Sequence, residues 1–171
     1  MYLCYCTNGQ NDTDKTLFNG EESTRIITVS ANSERKAYIH RLKLPSIGTY
    51  NVSITGLTTG YFMGYCISLF SSNIETPNNT PLTATGSSAS PSISPQSNAR
   101  DIIIDIMVGA GDGGTVTITP ESGQTETFES ESPSYAFGAG SYKTGIDSST
   151  PMGYTLGSSR AWGMCAVAIN G

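Results

Sequence analysis

Residues 101–119, "DIIIDIMVGAGDGGTVTIT", decide the fold. Ile102, Ile104, Ile106 and Val108 alternate with Asp101, Ile103, Asp105 and Met107, the two-residue period of a strand with one apolar face. The segment Gly109-Ala110-Gly111-Asp112-Gly113-Gly114 then matches G-x-G-x-x-G. A dinucleotide site would need a helix next, its N-terminus aimed at the pyrophosphate. Instead Val116 and Ile118 alternate with Thr115, Thr117 and Thr119, so a second strand follows. The glycines are therefore expected to serve a hairpin loop with positive φ, and no cofactor is expected. Asp101 and Asp105 are expected on the outer, solvated face, where they would aid solubility.

The same alternation runs outward in both directions. Tyr50, Val52 and Ile54 alternate with Asn51, Ser53 and Thr55, and further strands are expected at 2–7, 24–30, 35–44, 61–70, 124–129, 135–143, 152–156 and 161–169. Turn signals such as Asn8-Gly9, Asn19-Gly20 and Glu121-Ser122-Gly123 separate them. Residues 71–99 are Ser-, Pro- and Thr-rich. Read as a linker, they would leave two halves of about 70 residues, small for independent cores. They are better read as a crossover loop with short strands near 82–85 and 90–94. The expected fold is all-β: a single antiparallel, jelly-roll-like β-sandwich domain over 1–171, with roughly ten to twelve strands. Its inner faces are expected from Tyr50/Val52/Ile54, Ile102/Ile104/Ile106 and Val167/Ile169.

Composition agrees. The chain has 171 residues, of which 37% are hydrophobic and only 13% charged, with 19 glycines. That is too little charge for a charge-driven disordered chain. No apolar run approaches the about 20 residues of a membrane-spanning helix, so no membrane is expected as a partner. The net charge of −5 argues against nucleic acid, whose backbone calls for a basic face. Arg35, Lys36, Arg41 and Lys43 form one local basic group, read as a solvated strand face that discourages edge pairing.

Residue constellations for chemistry are sparse. His40 is the one histidine, on the parity of Tyr38, Leu42 and Leu44, and no G-x-S-x-G elbow accompanies it. It reads as a hydrogen-bonded structural histidine, and no catalytic set is expected. Asp12-Thr13-Asp14 lacks the glycine and glutamate of a calcium loop. Cys4, Cys6, Cys66 and Cys165 lack the C-x2-C pairing of a zinc site and read as small buried free thiols, so no metal is expected. Aromatic side chains remain. Tyr61, Tyr135, Tyr142, Tyr154 and Trp162 are the candidates for contact with a partner or the faces of sugar rings, though Trp162, opening the last strand, is better read as core or sheet-end packing.

The order of segments adds a resemblance. "KTLFNGE", "ERKAYIHRLKLPSIGTYNVSITGL", "GYCISLFSSNIETP", "SPSISPQSNARDIIIDIMV", "ESGQTETF" and "TPMGYTLGSSRAWGMCAVAING" occur in series. The series resembles a jelly-roll-like β-sandwich module family of bacterial extracellular and phage structural proteins. Pro45, Gly48, Tyr50 and Val52 match one element, Asp101 to Ile106 the next, Gly123, Gln124 and Thr125 a third, and Trp162, Ala166 and Val167 the last. The resemblance implies a scaffold or adhesion role and no catalytic residues. Modules of this kind carry a further strand before the one matched by "YLCYC", which implies an open sheet edge that a neighbouring subunit covers.

These readings lead to one expected function and one alternative. The first is a non-enzymatic virion component, a capsid decoration (cement) protein or a tail or fibre protein, acting through multivalent contacts as a homo-oligomer with other virion proteins. The amino terminus lacks a basic, then apolar, signal segment, which fits assembly in a host cytoplasm. The alternative is a glycan-binding module of an adhesin or receptor-binding protein at the cell surface.

Overall fold

The computed structural model describes residues 1–8, 15–42, 48–55, 62–69, 77–111, 113–132 and 136–170. The first half of the chain builds one sheet. β1 (Tyr2–Asn8) lies between β5 (Arg35–Arg41) and β7 (Phe62–Ile67), and β4 (Thr24–Ser30) flanks β5. The second half builds the other. β11 (Ile102–Ala110) and β17 (Arg160–Ile169) are central, with β14 (Ala136–Thr144) and then β13 (Thr125–Ser132) on one side and β8 (Leu82–Ser88) on the other. Every pairing is antiparallel. The chain is thus an all-β, sandwich-like single domain, with each sheet drawn from one half of the sequence.

The sandwich core follows from parity. Tyr2, Cys4 and Cys6 of β1 and Ala37 and Ile39 of β5 face Ile104, Ile106 and Val108 of β11 and Cys165, Val167 and Ile169 of β17 in one buried cluster. At about 25 cal/mol per Å2 of apolar surface removed from water, a cluster of this size is the dominant stabilising contribution.

Each sheet is also covered on its outer side. β3 (Glu21–Glu22), β2 (Lys15–Phe18) and β6 (Val52–Thr55) form a small sheet over the first. There Leu3, Tyr5 and Tyr38 pack with Phe18, Leu42, Tyr50 and Ile54. β12 (Ile118–Pro120), β16 (Met152–Leu156) and β9 (Ser92–Ile93) form a second small sheet. It packs Ile118, Met152, Tyr154 and Leu156 against Ile103, Met107, Phe137 and Met164. β10 (Gln96–Ser97) pairs with β15 (Ser148–Ser149) beside them.

Four layers instead of two revise several expectations. Tyr50 and Ile54 belong to the outer cluster, and Val52 is 40% exposed, so β6 does not line the sandwich interior. Asp105 is buried because β11 has a sheet against each face, and Asp101, just before β11, is buried where its carboxylate accepts from Asn78 and the Asn98 amide. Gly109 and Ala110 lie inside β11, which pairs with β14 and β17 and makes no hairpin with the strand after it. A Cβ on Gly109 would fall inside the ring of Phe137, so the absent side chain makes room for an aromatic one. Among the described residues of 109–114, positive φ occurs at Gly113 alone, at +94°; Asp112 lies outside the described residues. Arg35, Lys36 and Arg41 are half-buried rather than freely solvated, since β5 is an inner strand; Lys43 is outside the described residues. Three cysteines are buried free thiols, but Cys66 is exposed on β7.

Candidate functional site

Three polar or open places stand out against this layered core. The first surrounds Asp105. Its backbone belongs to the middle strand of the larger sheet, and its side chain points toward the outer layer, on the parity of Ile103 and Met107. Oδ1 accepts hydrogen bonds from the Ser141 amide at 2.9 Å, the Ser141 hydroxyl at 3.0 Å and the Tyr154 hydroxyl at 2.8 Å. Oδ2 is fully buried and has no hydrogen-bond partner among the described residues. Gln124 completes the group: Nε2 donates to Ser141 Oγ at 2.8 Å, and Oε1 accepts from the Gly153 amide at 2.6 Å. On the opposite side of β11, Tyr65 donates to the Asp105 carbonyl at 2.7 Å, its ring lying where a Cβ on Gly140 would be.

Burial pushes the Asp105 carboxyl up to about 7, against the hydrogen bonds from Tyr154 and Ser141, which favour the charged form. An acid that titrates near neutrality, bound to a hydroxyl and touching a carboxamide through it, is a chemically competent arrangement.

The second place surrounds His40. Nδ1 lies 2.8 Å from Ser23 Oγ, and Nε2 lies 3.4 Å from the Tyr5 hydroxyl, itself 2.9 Å from Thr16 Oγ1. Ser23 Oγ donates to the Thr16 carbonyl at 2.9 Å. With the imidazole proton on Nδ1 the circuit closes: Thr16 to Tyr5 to His40 to Ser23 and back to Thr16. Burial, with Arg25 nearby, lowers His40 to about 4, so the ring is neutral at pH 7. Ser23 also borders a hollow of about 240 Å3, along with Phe18, Glu21, Arg41 and Tyr50. In that tautomer the Ser23 proton is directed at a carbonyl and the His40 proton at Ser23, the reverse of a base activating a nucleophile.

The third place is a shallow apolar hollow of about 470 Å3 at the β7 edge, lined by Leu3, Val52, Ile54, Phe62, Gly64, Tyr65 and Cys66. Phe62 is 48% exposed.

The aromatic candidates fall mostly inside the protein. Tyr154 is fully buried and serves Asp105. Trp162 is buried over Gly86, its indole N–H donating to Ser88 Oγ at 3.0 Å. Tyr142 is half-buried against the sandwich core. None of these three presents an open ring face as a sugar platform requires; Tyr61 and Tyr135 lie outside the described residues. Ser141, Gln124, Ser23 and Phe62 were not singled out from the sequence. The continuous apolar run of β11 was the available signal, because a strand buried on both faces reads that way.

No family model matches the chain, and neither does any curated protein or solved structure.

Proposed function

We propose that this chain is a structural surface protein of a virion, a capsid decoration protein or a tail or fibre component, that acts without catalysis through repeated contacts between copies. One observation carries this reading: the edge formed by β7. Sheet edges expose unpaired N–H and C=O groups, and monomeric proteins blunt them with charge, proline or cover. Of the other edge strands of the two central sheets, β13 bears Glu126, Glu129 and Glu131, β4 bears Arg25, and β8, "LTATGSS", is uncharged but mostly polar. β7 reads "FMGYCI", with no charge and no proline, and adjoins the apolar hollow that holds Phe62 and Val52. A strand from a second copy added there would pair the backbone and cover the hollow together. Many such contacts on a symmetric particle give avidity from individually modest surfaces. The virion setting is suggested by the resemblance of the motif order to that of phage structural modules.

Phe62→Asp places a charge in the hollow and removes the packing of the Phe62 ring on buried Tyr5, 5.3 Å between centroids, so the fold is checked alongside. Association of the purified chain, followed by light scattering, is expected to weaken by at least about tenfold, about 1.4 kcal/mol, with an unchanged far-ultraviolet circular dichroism spectrum. Equal association of Phe62→Asp and the native chain would remove this edge from the account.

A further inference from the structure

We propose that Ser141 and Gln124 join covalently, the Ser141 hydroxyl displacing ammonia from the Gln124 carboxamide to leave an intramolecular ester that staples β14 to the start of β13. The groups that this acyl transfer needs lie within hydrogen-bond reach of one another, and a turn of the Gln124 carboxamide would bring its carbon to Ser141 Oγ. Ser141 Oγ sits between a carboxylate oxygen of Asp105 at 3.0 Å and the Gln124 side-chain nitrogen at 2.8 Å. The Gly153 amide, 2.6 Å from Gln124 Oε1, fixes which end of the carboxamide is oxygen and supplies a donor where negative charge would develop. Asp105 Oδ2 has no hydrogen-bond partner among the described residues, and Asp105 and Ser141 are completely buried. Gln124 is only half-buried, which leaves ammonia a way out.

The step balances without any co-reactant. Asp105 takes the Ser141 proton as Oγ bonds to Gln124 Cδ, and the charge gathers on Oε1 against the Gly153 N–H. The proton then passes from Asp105 to Nε2, the Cδ–Nε2 bond breaks, and ammonia departs. Asp105 is a carboxylate again, and the ester carbonyl retains the Gly153 hydrogen bond. Burial of Ser141 shields the product from hydrolysis. Other polar groupings among the described residues lack one component. Ser97 and Thr150 meet without a carboxamide, Ser23 and His40 likewise, and Asn78 meets Asp101 without a hydroxyl. The inference is independent of what the protein assembles with.

Intact mass spectrometry of the full chain, held at pH 8, tests it. The expected mass is about 17 Da below that of the sequence, the mass of one ammonia lost on acyl transfer. Cleavage after glutamate should then release residues 122–126 still joined to 132–171, and hydroxylamine should separate them. Ser141→Ala and Gln124→Glu are expected at their full sequence masses. A native chain at its full sequence mass overturns the proposal whatever the variants do. So does a loss of ammonia with the two peptides separate, which would mark an Asn-Gly succinimide instead.

Discussion

Asp105→Asn is expected to gain stability relative to the native chain as pH rises, by on the order of 4 kcal/mol between pH 4 and pH 8. The carboxyl titrates at 3.8 unfolded and at about 7 when folded, chiefly because burial opposes its charge. A folded value above the unfolded one means that the protonated acid is the form the fold prefers. Its contribution is full below about pH 4 and is lost progressively as pH rises to about 7. Asparagine keeps an oxygen for the three donors on Oδ1 and never acquires the buried charge. His40 acts in the opposite direction. Its folded value of about 4 lies below the ordinary 6.5, so its contribution is full above pH 6.5 and is lost as pH falls toward 4. The two slopes oppose each other between pH 4 and 6.5, so the native chain should show a shallow profile there that the variant unmasks. Urea midpoints at half-unit pH steps measure this. An Asp105→Asn difference that does not vary with pH would show that the native carboxyl is not buried as a charge. An ester in the native chain would take the Ser141 O–H from Oδ1, removing one bond that favours the charged form, so the slope would keep its sign and steepen.

Ile106→Ala is expected to cost about 2–5 kcal/mol, the range for emptying a fully packed aliphatic site. Ile106 is completely buried where the two central sheets meet, in the cluster that joins Cys4 and Ile39 of the first half to Cys165 and Val167 of the second. Trp162 lies in the second sheet, while the tyrosine signal is weighted to the first by Tyr2, Tyr5, Tyr38 and Tyr65, with Tyr142 and Tyr154 on the second side. Because the sheets share this cluster, tryptophan and tyrosine fluorescence should move together to lower denaturant in a single transition. Two separated transitions, with Ile106→Ala shifting only the tryptophan signal, would mean that the halves are stable apart.

Strands, turns and the absence of a helix after the glycine-rich segment were legible in the sequence because each is a local pattern. The second function of each face was not. An aspartate alternating with isoleucines reads as solvent-facing unless something covers it, and the cover for Asp105 comes from Tyr154, 49 residues away, and Ser141, 36 residues away. Likewise Val52 shares the parity of Tyr50 and Ile54, but a small outer sheet leaves it at an open rim. "YLCYC" and "IIIDIMV" did carry a hint, since near-continuous apolar runs mark strands with no solvated side. Gly109 was misleading for a related reason: its motif suggested a turn, whereas the ring of Phe137 requires the space.

The most direct test of the assembly account is the mass of the native chain by sedimentation velocity over a rising concentration series, with Cys66 alkylation followed in the same samples. Cys66 is exposed on the β7 edge and lines its hollow. The account predicts species heavier than one chain as concentration rises, with Cys66 becoming protected in step. A constant monomer mass, with Cys66 equally reactive throughout, would contradict it.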